Sequence, residues 1–255
     1  MKKIGFYMLI LFIMVSSLIG CNKNGNTKDE NIDYEVFMAE VISSEEGLLV
    51  TPDKDSIESS SSDRISIATG AAEIIDEQGN VIDIGMLKPA DRIKVSYNGL
   101  IAESYPAQIT ADKIELIGHN YIIDGFLALI DDIYQEDSGL NGNITMIAFD
   151  TSEWTILSNI ETEIILALAK EKYELEVVVG TFDELAEQGF IDKDNLYFED
   201  GILMTIKDIE INNDMDKIEC SIEKWRSGLG AIGWNAKAKL DKDTWEITRS
   251  GMWIS

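Results

Sequence analysis

Two aspartates stand where a proton or a cation could be handled. Asp150 closes the apolar run Ile144-Thr145-Met146-Ile147-Ala148-Phe149, and Asp183 comes shortly after Leu175-Glu176-Val177-Val178-Val179. If both runs are strands of an open α/β sheet, both carboxylates lie beyond the C-terminal strand ends, where such sheets bind ligands. A carboxylate pair there can act as acid and base. The competing use for Asp183, with Thr181, is the start of a helix, where its charge suits the dipole. A second constellation is Gly228-Leu229-Gly230-Ala231-Ile232-Gly233, spaced as G-x-G-x-x-G. The dinucleotide fingerprint needs a strand before it, a helix after it and an acid about 20 residues on. Here an alternating segment follows, and Gly251-Met252-Trp253 stands where the acid belongs. Backbone N–H groups at Gly228 and Gly230, beside the cations Lys224 and Arg226, could instead cradle an anion; the plainer use is a wide connection or bulge between strands. Asn212, Asp214, Asp216 and Glu223 fit oxygen positions of a calcium loop, but its central glycine is missing. A hairpin turn accounts for them, and no metal or cofactor is expected.

His119 is the single histidine, which excludes a His-rich zinc site. It stands between two differently patterned halves and is expected as an exposed linker residue. Cys220 shares its parity with Ile218 and Ile222 and is expected as a buried thiol. Trp225, Trp234, Trp245 and Trp253 crowd the C-terminal segment. Exposed, they would stack on sugar rings; their expected use is the core of a C-terminal sheet. G-x-S-x-G, H-E-x-x-H and Walker signatures are missing.

The elements that would position these residues fall into two halves. From Tyr34 to Gly118 the signals are β: Val36–Ile42, Leu48–Val50, Arg64–Ala68, Asp91–Tyr97 and Gln108–Ile117 alternate or run apolar between turn residues, with Ala72–Ile75 and Val81–Ile84 flanking a turn. About five strands of this kind suit a small Greek-key barrel of OB type. From Tyr121 the period changes. Ile122, Phe126, Leu129, Ile130 and Ile133 recur at helical spacing. Ser158-Asn159-Ile160-Glu161 and Thr181-Phe182-Asp183-Glu184 read as capping boxes. The first opens a helix to about Tyr173, set between strands 144–149 and 175–179, which implies a parallel pair. Strands at 196–198, 202–211, 217–225, 234–240 and 244–254 follow. The expected fold class is α+β: an OB-like β-barrel at residues 34–118, then an α+β domain at 119–255 with helices packed on one face of a mixed sheet.

The beginning of the chain carries an address. Met1-Lys2-Lys3 precedes an apolar run from Ile4 to Val15, too short for a transmembrane helix, which needs about 20 residues, and suited to a signal peptide. Leu18-Ile19-Gly20-Cys21 resembles the lipobox of bacterial lipoproteins. The resemblance implies a leader over residues 1–21 and a diacylglycerol on the Cys21 thiol, hence a cell-membrane location facing out of the cytoplasm. Residues 22–33 are polar and read as a flexible tether. Leu87-Lys88-Pro89-Ala90-Asp91-Arg92-Ile93-Lys94-Val95 and Glu103-Ser104-Tyr105-Pro106-Ala107-Gln108-Ile109 resemble an uncharacterised OB-like domain of lipoproteins from low-GC Gram-positive bacteria. That resemblance spans residues 34–118 and brings a fold and an address but no activity. The span from Lys224-Trp225-Arg226-Ser227-Gly228-Leu229-Gly230-Ala231-Ile232-Gly233 through Trp253-Ile254-Ser255 resembles uncharacterised lipoproteins of similar bacteria and brings no function.

Composition narrows the partners. The formal charge is −26, and becomes −28 if Lys2 and Lys3 leave with the leader. Such a surface repels phosphate backbones, so nucleic acid is not expected. It also repels anionic headgroups, leaving the lipid on Cys21 as the membrane contact. Cys220 would be the only other thiol, so stability must come from packing and not from disulfides. The expectation is a binding or accessory module at the cell surface, beside a membrane protein or the cell wall. The alternatives are a carboxylate-dependent enzyme acting on wall glycans through Asp150 or Asp183, and a small-ligand sensor.

Overall fold

The computed structural model describes residues 34–255; the leader, Cys21 and the 22–33 tether lie outside the described residues. Alternation builds the first sheet. Phe37, Ala39 and Val41 of β1 (Glu35–Ser43), Leu48 and Val50 of β2 (Leu48–Pro52), and Ile65 and Ile67 of β3 (Ile65–Ala68) all point into one core. After the short β4 (Glu73–Ile75), β5 (Asp91–Tyr97) and β6 (Ala107–His119) add Ile93, Val95, Ile109 and Ile114 to it. Neighbours run β3-β2-β1-β5-β6, antiparallel throughout, and β3 then pairs parallel with β6, Ile65 opposite Ala107. The sheet thereby closes into a five-stranded barrel, and β4 lies parallel on the far part of β6. Inside, the Tyr97 hydroxyl donates to Glu58 Oε1 at 2.8 Å, so the one phenol of this core is satisfied.

The second half contains α1 (Tyr121–Gln135), β7 (Met146–Asp150), α2 (Asn159–Tyr173), β8 (Glu176–Val179), α3 (Phe182–Glu187), β9 (Gly201–Ile211), β10 (Lys217–Ser227), β11 (Gly230–Asp241) and β12 (Thr244–Ile254). They form one mixed sheet, β12-β11-β10-β9-β7-β8. β7 is parallel to both β8 and β9, and the four long strands β9 to β12 are antiparallel. Both capping boxes form, Ser158 with Glu161 and Thr181 with Glu184. The described residues are mostly β, with few helices.

The expectation of helices on one face is corrected. β7 alternates: Ile147 and Phe149 face α1 and α2, whereas Ala148 faces Leu185 of α3, with Leu203 and Phe198. The sheet is apolar on both sides of that strand, so α3 packs opposite the other two. Gly125 explains how α1 comes so close to the sheet. A Cβ there would lie 2.6 Å from the Ile218 side chain and 2.9 Å from the Trp245 ring. The glycine run is also corrected: Gly228-Leu229 is a tight hairpin turn, Gly230 to Gly233 already belong to β11, and a bulge lies between Trp225 and Ser227. Leu196–Phe198 makes only isolated bridges, so no strand forms there. No helix among the described residues is long and apolar enough to cross a membrane.

Candidate functional site between barrel and sheet

Asp150 and Asp183 do arrive at one sheet end, because β7 and β8 are parallel neighbours. Each is already engaged. Asp150 Oδ1 accepts from Ser152 N at 3.0 Å and Ser152 Oγ at 2.6 Å. Asp183 faces Lys193 at 2.5 Å on an exposed surface. The cap acceptors of α3 are Thr181 and Glu184, so Asp183 serves the dipole by charge alone.

Lys224, Arg226, Gly228 and Gly230 are close in the chain, but the two cations are engaged by oxygens of the protein itself. Lys224 is fully buried, at 0 % exposure. Its Nζ donates to the carbonyls of Tyr134 (3.1 Å), Glu136 and Asp137 (3.2 Å), and to Asn141 Oδ1 (3.1 Å). It completes the C-terminal end of α1, where carbonyls lack helical donors. Burial holds its pKa down at about 8. Arg226 donates to the carbonyls of Leu140, Gly142 and Glu199. Gly230 is needed for packing, since a Cβ would meet Ser227 Oγ at 2.8 Å. Ser221 and Lys224 have S-x-x-K spacing, yet on a strand three residues put them on opposite faces. Ser221 accordingly donates to Asn235 Oδ1 at 2.8 Å.

The tryptophans divide. Trp234 and Trp245 are core, Trp225 stands edge-on to Phe182 of α3, and Trp253 is 42 % exposed over Gly233. Cys220 is buried as expected, and burial pushes its thiol up to about 12. Asn212 to Lys217 forms the β9–β10 turn, with Asn212 Oδ1 accepting from the N–H groups of Asp216 and Lys217.

His119 overturns the expectation of an exposed linker. Its Nδ1 lies 2.7 Å from Asp91 Oδ1 and its Nε2 2.9 Å from Asp124 Oδ2. Carboxylates at both ring nitrogens mean both donate, so the imidazolium is held. Its pKa is pushed up to about 9, first by Asp124 and then by Asp91. Asp91 starts β5 and Asp124 lies in the first turn of α1, so His119 ties barrel to helix.

The densest set of unspent polar groups lies beside that tie. A groove of about 910 Å³ runs between the barrel and the N-terminus of α2. Its barrel wall comprises Glu40, Thr51 to Lys54, Ser59, Asp63, Arg64 and Arg92, and its other wall is Leu157 to Glu161. Glu40 is only 5 % exposed. Its Oε2 accepts from Asn120 Nδ2 at 3.0 Å, and the same amide donates to Glu161 Oε1 at 2.8 Å. Its Oε1 is buried and has no partner among the described residues. Burial, joined by the charge of Glu161, raises the Glu40 pKa to about 7, against the opposing pull of Asn120, Arg92 and His119. Across the groove, Arg64 grips Glu163 of α2 with both terminal nitrogens, while its buried Nε is also without a partner. Arg92 pairs with Asp53 at 2.6 Å. Glu40 and Arg64, which both line the groove, thus each carry one buried atom with hydrogen-bonding capacity unused. Buried polar atoms are rarely left so.

Sequence reasoning missed this site. Glu40 has outward parity on β1, next to inward Ala39 and Val41. It is buried because Asn120 and α2 cover it, and no local pattern carries that information.

Searches of curated proteins and of solved structures each returned no match. Residues 37–118, the barrel, match a family described as a protein of unknown function, DUF3221.

Proposed function

We propose that this chain is an exported lipoprotein, anchored through Cys21, that works as a binding module whose ligand seat is the groove between barrel and α2. The observation that carries the reading is that two residues lining that groove, Glu40 and Arg64, each keep a buried polar atom, Oε1 and Nε, without a partner among the described residues. The address rests on the leader and on Leu18-Ile19-Gly20-Cys21. An OB reading of the barrel is supported by its ring β1-β2-β3-β6-β5, closed by a parallel pair. Ligands of such barrels lie along the second and third strands, and Thr51, Pro52 and Arg64 bring those strand ends to the groove. The acidic surface keeps nucleic acid off. A partner in the membrane or the wall is the expected source of the ligand.

The test is a thermal-shift screen of the full chain with wall glycans, short peptides, calcium and a chelator. A ligand at 100 times its dissociation constant adds about 2.7 kcal/mol. The parallel variant is Asn159→Trp, which fills the groove from an exposed position at the start of α2. A shift that disappears in Asn159→Trp supports the seat, and one that survives there removes it. Membrane fractionation with Cys21→Ala tests the anchor: the variant should leave the membrane, and its retention would end the lipid reading.

A further inference from the structure

The groove displays two kinds of unused capacity at once. On the donor side, the first two N–H groups of α2, from Asn159 and Ile160, have no acceptor among the described residues. The capping box satisfies only the Ser158 and Glu161 N–H groups, and a helix leaves its first N–H groups unpaired unless something caps them. α2 is 15 residues long, so its N-terminus carries appreciable positive partial charge. Arg64 Nε adds a buried donor, and the exposed Lys54 makes no ion pair among the described residues. On the acceptor side stands Glu40, nine-tenths buried, with Oε1 unpaired.

A ligand that answers both has an acidic end and N–H donors. A polyanion is disfavoured by a chain of charge −26. A sugar would stack its ring on an aromatic side chain, and none of the residues lining the groove is aromatic. A zwitterion has no net charge to be repelled and brings both functions. We infer that the groove seats a short peptide, its carboxylate held by the α2 N-terminus with Arg64 and Lys54, its ammonium or amide N–H groups held by Glu40. About 910 Å³ is room for a few residues. This peptide assignment rests on the groove being the ligand seat.

The experiment is calorimetric titration of the full chain with trialanine, trialanine amide, N-acetyl-trialanine and N-acetylglucosamine. Trialanine should bind, and the amide, which lacks the carboxylate, should bind about tenfold more weakly, as loss of a charged hydrogen-bonding group implies. Lys54→Ala should weaken trialanine several-fold and leave the amide unchanged. Glu40→Gln should weaken trialanine more than N-acetyl-trialanine, because it removes the partner of the ammonium. A flat trialanine titration, or trialanine and its amide binding alike, overturns the peptide assignment. Binding of N-acetylglucosamine that Asn159→Trp abolishes overturns the peptide class and spares the seat. Trialanine binding that persists in Asn159→Trp removes the seat itself.

Discussion

Two buried ionisable groups, one in each half of the molecule, are treated in opposite ways. Lys224 in the second sheet is fully buried and has four acceptors around its ammonium. Glu40 on the barrel is almost as buried, yet one of its oxygens faces nothing. Burying a charge is costly unless it is paired and hydrogen-bonded. The lysine meets that condition by finishing a helix, and its position is explained by structure alone. The glutamate meets it only at Oε2, through Asn120 and a 3.9 Å approach of Arg92, and drifts toward the neutral form near pH 7. The contrast separates a group that holds the fold from a group whose capacity is unused in the fold.

The comparison can be broken at its strongest point first. Lys224→Met fits the same space but abandons the carbonyls of Tyr134, Glu136 and Asp137. Leaving buried carbonyls without a donor costs about 1–3 kcal/mol for each group, so Tm should fall by roughly 10 °C. A variant that melts with the wild type would show the ammonium to be dispensable, and the contrast would vanish.

Glu40→Gln should act in the other direction. The folded chain holds the Glu40 proton up to about pH 7, whereas the unfolded chain releases it near 4.5. The unfolded state therefore binds fewer protons across that window, and stability from this group declines as pH rises from 4.5 to 7 and stays low above it. Glutamine keeps an acceptor for Asn120 and removes the charge. The variant should match the wild type at pH 4 and exceed it at pH 8, by on the order of 2 kcal/mol. Chemical denaturation at the two pH values reads this directly, and a variant destabilised at pH 8 would mean that the carboxylate is paired after all.

His119→Gln sharpens the picture at a smaller scale. The raised pKa of His119 means that its contribution is complete below pH 6.5 and is lost as pH climbs through about 9. The groups facing it are Asp91, Asp124 and the ring of Tyr121, with Glu40 near enough to feel its charge. The variant should be less stable by about 1.5 kcal/mol at pH 6 and nearly equal at pH 10. A loss of the same size at both ends would make the histidine a packing residue only.

The parts legible in the sequence are those whose cause is local. Ser158 and Glu161, or Thr181 and Glu184, are three residues apart and close their caps wherever the rest of the chain lies. The barrel strands followed from alternation, as did the burial of Cys220 between Ile218 and Ile222. The same parity extends to Lys224, so its inward direction is readable there too, although a lysine on that face runs against the apolar pattern. What was not legible depends on surfaces brought together late in the argument of the fold. Asp91 and Asp124 reach His119 from two different elements. Glu40 comes from β1 and Arg64 from the residue just before β3, with β2 between them in the chain, and Glu161 and Glu163 come from α2. Charge alternation along a strand predicts a solvated face, and only tertiary cover turns that face into a site.

The barrel has a further consequence at its seam. Pairing β3 with β6 closes the ring on itself and leaves only the three-residue β4 at a rim, whereas the second sheet ends in β8 and β12, each with one unpaired side. β8 has four residues, which offers an incoming strand few hydrogen bonds, and β12 is kinked at Gly251 (φ +64°) with a register shift opposite Gly233 and Asn235. Short or bent rims resist templating by a neighbouring copy. A population of such molecules crowded at high density could therefore stay individually folded, with self-recruitment into fibres discouraged at the two places where the architecture would otherwise invite it.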